Sequence, residues 1–379
     1  TVAEDDNWKS TRTRLVKLPD PLELSTMAFS PQKLRGTEFD MPTKTGSLPV
    51  EVSQSGVKVD TKGDGKPDEA VLRGTHSTVF KLSLFYEKEG SCDYYALVKH
   101  FEGSYAIVRA GALEARIARK KVWFVDENCN GLYGEEKKDG VFVDGCEFGS
   151  PLSSVLIIDG KPYEYELNWS GKEVKYRPYE GPSATVDLRE DFDGETSPVC
   201  IVMKGRTEAG SITLDVACED GPATLPAGEY TLLKAYMPKV LIEPGARTSF
   251  NAEAGLAHMK WGRKLKLEAP VRLEKHDGKL HVQIQPLPEV FGEAREKYVG
   301  PYLEDGDHVY KIYPATANGE PTDKPVTWSI SNPCGGGEPM WRAVHCTFPI
   351  DTVAILITCE VDGVGTARGL FPVPADGAD

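Results

Sequence analysis

The sequence predicts an all-β protein made of several antiparallel β-sandwich domains in tandem. From Gly36 onward, short runs rich in Val, Ile, Thr, Tyr and Phe are broken by Gly, Pro, Asp and Asn, a pattern typical of strands separated by turns. Asp-Gly pairs at 159–160, 277–278 and 362–363 stand between apolar runs and predict tight hairpins. The length of 379 residues corresponds to about two to four domains, and we predict three.

Changes in composition along the chain suggest where these domains begin and end. Residues 1–35 are polar, contain prolines and show no clean period, so we expect an N-terminal arm. Gly/Pro-rich text near 160–177 and 255–262 divides the remainder into β-domains at 36–160, 161–260 and 261–379. The last has regularly spaced strands and a mid-strand Trp328, which favours an immunoglobulin-like sandwich, and we expect the tandem domains to share that architecture.

One segment, GALEARIARKK, contains residues that favour helix. We predict a strand instead, because Leu113, Ala115 and Ile117 alternate with Glu114 and Arg116. The run also continues into KVWFVDEN without a cap or a Gly stop.

Charge and hydropathy limit the partners and the cellular locations that we expect for the protein. The net charge of −14 repels phosphate backbones, so nucleic acid is not an expected partner, and it suits divalent cations. No apolar run is long enough for a transmembrane segment, and residues 1–20 do not have the order of a signal peptide. We therefore expect a mature extracellular or cell-surface chain from which a signal was removed. A cytosolic protein is the alternative.

The eight cysteines lack CxxC spacing, which argues against zinc ribbons and favours disulfides over buried thiols. Two predicted strands around residues 208–210 would bring Cys200 opposite Cys218. Two other local pairs are plausible, namely Cys129–Cys146 and Cys334–Cys346. The last two cysteines, Cys92 and Cys359, either link distant regions or remain thiols.

The strongest local signal is the segment 126–139, DENCNGLYGEEKKD. Asp126, Asn128 and Asn130 occupy alternate positions before Gly131, where the chain can curl so that their oxygens, with the carbonyl of Leu132, face one hard cation. The segment resembles the calcium loops of EF-hands and dockerins. It departs from EF-hands at the closing acid, because that position is Lys137.

Closure must therefore come from Glu135, Glu136 or Asp139, and we favour Asp139. A strand-flanked variant of the loop, seen in uncharacterised secreted bacterial multidomain β-proteins, carries an acid there. The resemblance implies bound Ca²⁺; the alternative is an Asx-rich turn without metal.

A second segment, DTKGDGKPDE at 60–69, resembles the aspartate-rich loops of thrombospondin-type repeats. Its candidate ligands are Asp60, Asp64 and Asp68. Lys62 stands where Asp or Asn is usual and would bring positive charge near the ion. A metal site and a plain turn are equally compatible with this segment.

No catalytic motif is present: the sequence has no GxSxG, HExxH, Walker or dinucleotide-binding pattern. We therefore expect no enzymatic activity. The main hypothesis is an extracellular structural protein, a filament or surface-layer subunit, that self-associates through the N-terminal arm or strand edges. The alternative is an adhesion module that binds carbohydrate or protein through exposed aromatics, namely Trp169, Tyr176, Tyr179, Tyr298 and Tyr302.

Overall fold

The structure, a computed structural model, describes residues 7–18, 30–72, 79–101, 104–146, 148–208, 210–217, 221–253, 256–262, 264–285, 288–299, 308–330 and 344–374. Within these ranges 60% of the residues lie in strands, and none lies in a helix. The strands form several separate antiparallel sheets. The predicted all-β class is confirmed.

The strands before residue 187 are β1 (Lys9–Arg12), β2 (Arg14–Lys17), β3 (Gln32–Lys33), β4 (Glu38–Thr43), β5 (Gly46–Ser53), β6 (Gly56–Val59), β7 (Glu69–Leu72), β8 (Val79–Tyr86), β9 (Gly90–Phe101), β10 (Ser104–Arg109), β11 (Gly111–Ile117), β12 (Lys120–Val125), β13 (Gly140–Val143), β14 (Ser150–Pro151), β15 (Val155–Ile158), β16 (Lys161–Leu167), β17 (Glu173–Pro178) and β18 (Ser183–Val186). The strands that follow are β19 (Cys200–Thr207), β20 (Gly210–Asp215), β21 (Ala223–Pro226), β22 (Gly228–Tyr236), β23 (Leu241–Glu243), β24 (Ser249–Ala252), β25 (Leu256–Ala257), β26 (Lys266–Glu268), β27 (Val271–His276), β28 (Lys279–Ile284), β29 (Glu289–Phe291), β30 (Lys297–Val299), β31 (His308–Ala315), β32 (Val326–Ile330), β33 (Val344–Pro349), β34 (Ala354–Val361) and β35 (Gly365–Pro372).

The chain divides into two compact units. Unit 1 comprises residues 1–184 and 204–228, and unit 2 comprises residues 185–203 and 229–379.

Unit 1 contains four antiparallel sheets, built from hairpins and completed in three of them by a strand from the N-terminal segment. Their strand orders are β1-β17-β16-β15, β3-β10-β9-β8, β14-β13-β12-β11-β2 and β4-β5-β6-β7. Alternation explains how these strands form a core: in β8, Phe80, Leu82 and Leu84 are buried while Lys81 is exposed. One large apolar cluster runs through all four sheets.

Unit 2 is organised around a long sheet in the order β22-β23-β30-β29-β26-β35-β34-β31-β32. A three-stranded antiparallel sheet, β27-β28-β33, is separate from it. The pairs β18–β25 and β26–β35 are parallel.

The described part of the predicted N-terminal arm is β-structure within unit 1. Strand β1 pairs with β17, β2 pairs with β11, and β3 pairs with β10, each in antiparallel register. The main chain of Ser30 also donates a hydrogen bond of 2.8 Å to the carbonyl of Glu127. Residues 1–6 and 19–29 of the arm lie outside the described residues.

The ambiguous segment GALEARIARKK forms a strand, as predicted. Strand β11 pairs with both β2 and β12, and its alternate side chains Leu113, Ala115 and Ile117 are buried. The reversal into β12 uses Ala118 and Arg119, whose φ angles are 47° and 74°. Nothing in the sequence marks this tight turn, because residues other than Gly, Asn and Asp seldom adopt positive φ.

The three Asp-Gly hairpins are confirmed. They join β15 to β16, β27 to β28 and β34 to β35. In the first two, Asp and Gly both have positive φ, at 50° and 68° for residues 159–160 and 51° and 72° for residues 277–278, which matches the twist of the flanking strands.

The predicted local disulfides are wrong. Five cysteines are thiols, and each predicted pair contains one of them; they are Cys92, Cys129, Cys200, Cys346 and Cys359. The thiol of Cys129 lies in the core, where it accepts a hydrogen bond of 3.3 Å from the main chain of Arg109. Cys146 is disulfide-bonded, and Cys218 and Cys334 lie outside the described residues.

Candidate metal centre

The first predicted calcium loop connects β12 to β13 at the edge of the unit 1 core. Asp126 follows β12 directly, and its side chain is completely buried. Cys129 and Tyr133 insert into the apolar cluster of unit 1. The loop is therefore anchored by apolar residues placed between its polar ones.

The carboxylate of Asp126 organises the loop by accepting hydrogen bonds from its main chain. Oδ1 accepts from the amide of Asn130 at 3.2 Å, and Oδ2 accepts from the amide of Gly131 at 2.6 Å and from the hydroxyl of Tyr94 at 2.9 Å. Burial raises the pKa of Asp126 to about 6, although these donors and the charge of Arg109 oppose the shift.

Gly131 is the position where the chain must curl. Its φ is 79°, and a Cβ atom there would lie 2.7 Å from Cδ1 of Leu84. Its carbonyl accepts a hydrogen bond from Tyr86. The predicted role of this glycine is explained by both its conformation and the lack of space.

Three polar side chains converge in the middle of the loop. The amide groups of Asn128 and Asn130 lie 2.8 and 2.7 Å from the same Oε2 atom of Glu135. Turning each amide over would present its oxygen to an ion held by Glu135, in exchange for the main-chain hydrogen bonds that these oxygens accept from Asn130, at 3.2 Å, and from Leu132. The amide of Leu132, whose carbonyl is the predicted main-chain ligand, donates to Oδ1 of Asn130 at 2.9 Å.

Asp139 brings a second buried carboxylate to the loop. Its Oδ2 accepts a hydrogen bond of 2.8 Å from the amide of Glu135, and the main-chain amide of Glu127 also stabilises the charged carboxylate. Its Oδ1 is buried without a hydrogen-bond partner. Burial, followed by the negative charge of Asp126, raises the pKa of Asp139 to about 9. A buried carboxyl in this state costs about 1–3 kcal/mol relative to one that is fully satisfied.

The neighbouring basic residues pair with glutamates and not with Asp126 or Asp139. Arg109 and Glu127 form a completely buried ion pair at 3.3 Å, and Lys138 pairs at 2.7 Å with Oε1 of Glu135, its own side chain being 61% exposed. A cation at the loop would thus meet Asp126 and Asp139 without displacing a buried base.

Among the residues that the structure describes, no group of three or more His, Cys, Asp and Glu side chains could hold a metal ion by itself. A site here therefore depends on the amides of Asn128 and Asn130 and on main-chain oxygen. Such a donor set contains oxygen alone and fits a hard cation.

The second predicted loop, after β6, has a similar main chain. Oδ1 of Asp60 accepts hydrogen bonds from the amides of Lys62, Gly63 and Asp64, at 3.1, 2.8 and 3.3 Å, and Oδ2 accepts from Gly65 at 2.7 Å. Asp60 is completely buried, like Asp126. The carboxylate of Asp64 accepts from the amide of Lys66 at 3.0 Å.

The charge in this second loop is compensated from within. The ammonium group of Lys62 lies 2.8 Å from Oδ2 of Asp68, and Thr61 donates to Oδ1 through its amide and its hydroxyl, both at 2.9 Å. Burial opposes the shift, but the bonds from Lys62 and Thr61 together lower the pKa of Asp68 to about 2.

Sequence reasoning offered three closing acids for the first loop, favoured Asp139, and missed the residues that surround the loop. Both Glu135 and Asp139 lie at the loop, whereas Glu136 is exposed. The contributions of Tyr94 and Arg109 come from other strands, so no local pattern signals them.

No protein-family model matches the chain, and a search of curated proteins finds no match. In the described part of the chain, no helix is long and apolar enough to cross a membrane.

Proposed function

We propose that this protein is an extracellular structural β-protein, a subunit of a filament or surface layer, that is stabilised by Ca²⁺ bound in the loop 126–139. The observation that carries the proposal is the buried Asp139, whose Oδ1 has no hydrogen-bond partner. After burial, the negative charge of Asp126 is the largest cause of its raised pKa. A cation beside these groups would remove both the repulsion and the missing bond.

Calcium is the cation that this donor set fits. Ca²⁺ takes six to eight oxygen ligands from carboxylates, amides and carbonyls in flexible geometry, whereas Mg²⁺ requires a strict octahedron and keeps its water. Two of the loop ligands are neutral amides, so we expect a dissociation constant on the order of 10⁻⁵ to 10⁻³ M. A site of that strength would fill at extracellular calcium concentrations.

Calcium bound here would support the fold at a long connection. The loop joins two strands of one sheet, and its residues Cys129 and Tyr133 belong to the core. An ion that holds residues 126 and 139 together would therefore stabilise the unit and not the loop alone. The proposed role is structural and non-enzymatic.

Self-association remains the proposed means of assembly, through strand edges or the N-terminal segment. The edge strands of the antiparallel sheets support it, because an edge offers unpaired main-chain groups to another chain. The proposed extracellular location rests on the calcium loop, since the predicted local disulfides no longer support it.

A specific observation favours the alternative of an adhesion module. Trp169 is 56% exposed, and its carbonyl accepts a hydrogen bond of 2.9 Å from the amide of Tyr133 in the calcium loop. A fixed, exposed indole is a suitable platform for a sugar ring or a protein side chain. Tyr298 cannot contribute, because it is buried, and Tyr302 lies outside the described residues.

The test compares Asp139→Asn with the wild-type protein by calorimetric calcium titration and thermal unfolding. The variant keeps the shape of the side chain and removes its charge. We expect it to be more stable than the wild type in chelator at neutral pH, because the asparagine is neutral at no cost whereas the raised pKa of Asp139 means that folding must protonate that carboxyl. We also expect it to bind calcium at least about tenfold more weakly, because a charged ligand is lost. Asp64→Asn, in the second loop, is the matched control and should change neither quantity appreciably.

Equal effects of Asp139→Asn in calcium and in chelator would contradict the calcium site. Electron microscopy of the wild-type protein, with calcium and after chelation, then tests the assembly role. Regular filaments or sheets that fray on chelation would support it, and monomers in both conditions would favour the adhesion module.

A further inference from the structure

A second polar cluster occupies one face of the sheet β27-β28-β33 in unit 2. A cavity of about 320 Å³ lies there. The register places Arg272, Gln283 and His345 in one row across the three strands, and Glu274, His281 and Thr347 in the next. This row arrangement gathers imidazole, guanidinium, amide and hydroxyl groups around one space.

His281 is the residue that points to a ligand. Its Nε2 atom is buried and has no hydrogen-bond partner, although the side chain lines the cavity. A buried imidazole nitrogen without a partner is costly unless something in the cavity bonds to it.

A preformed metal site is not the explanation. The rings of His276 and His281 stack with centroids 3.6 Å apart and planes at 11°, so their nitrogens point along parallel planes and cannot converge on one ion. No three-ligand metal group occurs here or elsewhere in the described ranges.

Apart from the imidazoles, the charged side chains on this face balance one another. Arg272 pairs with Glu274 at 2.6 Å, and Asp277 lies 3.2 Å from Nδ1 of His276. The permanent charges on the face and its turn therefore balance, with Arg272 and Lys279 against Glu274 and Asp277. Lys275 belongs to the opposite face of β27.

Cys346 adds no negative charge to the cavity it lines. Burial raises the pKa of its thiol to about 11, so the group stays protonated at neutral pH. The groups that can bond to an anion in this cavity are therefore the ring N–H groups of His281 and His345, together with the amide of Gln283 and the hydroxyl of Thr347.

We propose that this cavity binds a small organic anion whose sulfate, phosphate or carboxylate group bonds to His281 and His345. Gln283 and Thr347 would bond to the polar body of the ligand. The cavity is larger than an inorganic ion requires and falls at the lower end of the range for small-molecule sites. This proposal is independent of the calcium loop.

The test uses the full chain and two probes, inorganic sulfate and glucuronate, with glucose as the neutral counterpart of glucuronate. Both anions are fully charged at neutral pH, where binding is measured by calorimetry. We expect saturable binding of sulfate and of glucuronate, and none of glucose.

His345→Gln and His281→Gln should each weaken anion binding by about tenfold. His345 is exposed, so its variant should fold normally even if His281→Gln does not. His100→Gln, on β9 in unit 1, is the matched control and should bind as the wild type does.

Three results would overturn the proposal. These are no saturable binding of either anion, binding of sulfate but not of glucuronate, and a His345→Gln protein that binds both anions like the wild type.

Discussion

The loops that follow β6 and β12 share a main-chain form but differ in how their buried charge is compensated. In each, an aspartate directly after the strand accepts from the amide four residues on, at 3.3 and 3.2 Å, and from a glycine five residues on, at 2.7 and 2.6 Å. The fourth residue of each loop, Gly63 or Cys129, has positive φ.

The difference lies at the third position. In the loop 60–69, Lys62 brings an ammonium group to Asp68. In the loop 126–139, Asn128 contacts Glu135 instead, and a second carboxylate, Asp139, is buried with no basic side chain paired to it and with Oδ1 unbonded. A similar curl can therefore serve a self-neutralised turn or a candidate ion site. Side-chain charge decides between the two.

The largest expected effect is that of Asp126→Ala. The variant loses three hydrogen bonds and a proposed calcium ligand, so we expect about 3–5 kcal/mol of destabilisation in calcium. The loss should be smaller by about 2 kcal/mol or more in chelator, because the wild type then lacks the ion as well. Denaturant unfolding in both conditions measures the difference. An identical loss would mean that Asp126 acts through its hydrogen bonds only.

Asp60→Ala should have the second-largest effect and should not depend on calcium. The substitution leaves main-chain amides of the loop without their acceptor, which costs about 2–3 kcal/mol. The same denaturant experiment with and without chelator checks this. A larger loss in calcium would place an ion in this loop too and would remove the contrast.

The third prediction concerns how the stability of the protein changes with pH. The pKa of Asp139 is raised above its unfolded value, so folding favours the protonated form. The associated stability is fully present below about pH 4 and is lost as the pH rises toward about 9. Thermal unfolding in chelator should show this decline, and calcium should reduce it. Asp139→Asn should remove the part above about pH 6, because Asp126, whose pKa is raised to about 6, still contributes below that pH. A decline that persists above about pH 6 in the variant would assign it to other groups.

Local patterns were sufficient to predict strand structure from Gly36 onward and the loop curl, but not β1, β2 and β3 in the predicted arm. The alternation in β8 and β11, the Asp-Gly hairpins and Gly131 depend on neighbouring residues only. In contrast, whether Cys129 forms a disulfide depends on which residues surround it in the fold. Its thiol accepts a hydrogen bond from the main chain of Arg109, which lies on another strand. No periodicity reveals such contacts.

The closing acid illustrates the same limit. Glu135, Glu136 and Asp139 all carry a carboxylate, so the sequence alone does not distinguish them. The path of the chain decides which of these carboxylates reach the loop. Gly134 has a φ of 88° and would place a Cβ atom 2.9 Å from the carbonyl of Leu167. The turn is thus fixed by β16, which lies far along the sequence.

The smallest expected effect is the most direct test of the comparison. Lys62→Asn gives the second loop the side chain that Asn128 supplies to the first and frees Asp68 from its internal cation. We expect the variant to gain a calcium-dependent rise in its unfolding temperature, beyond that of the wild type, because Asp68 and the new amide can then face an ion. Lys62→Met, which removes the charge without adding an oxygen, is the control and should show a smaller gain or none. If Lys62→Asn responds to calcium no more than Lys62→Met does, charge at the third position does not distinguish the loops, and Glu135 and Asp139 must account for the difference.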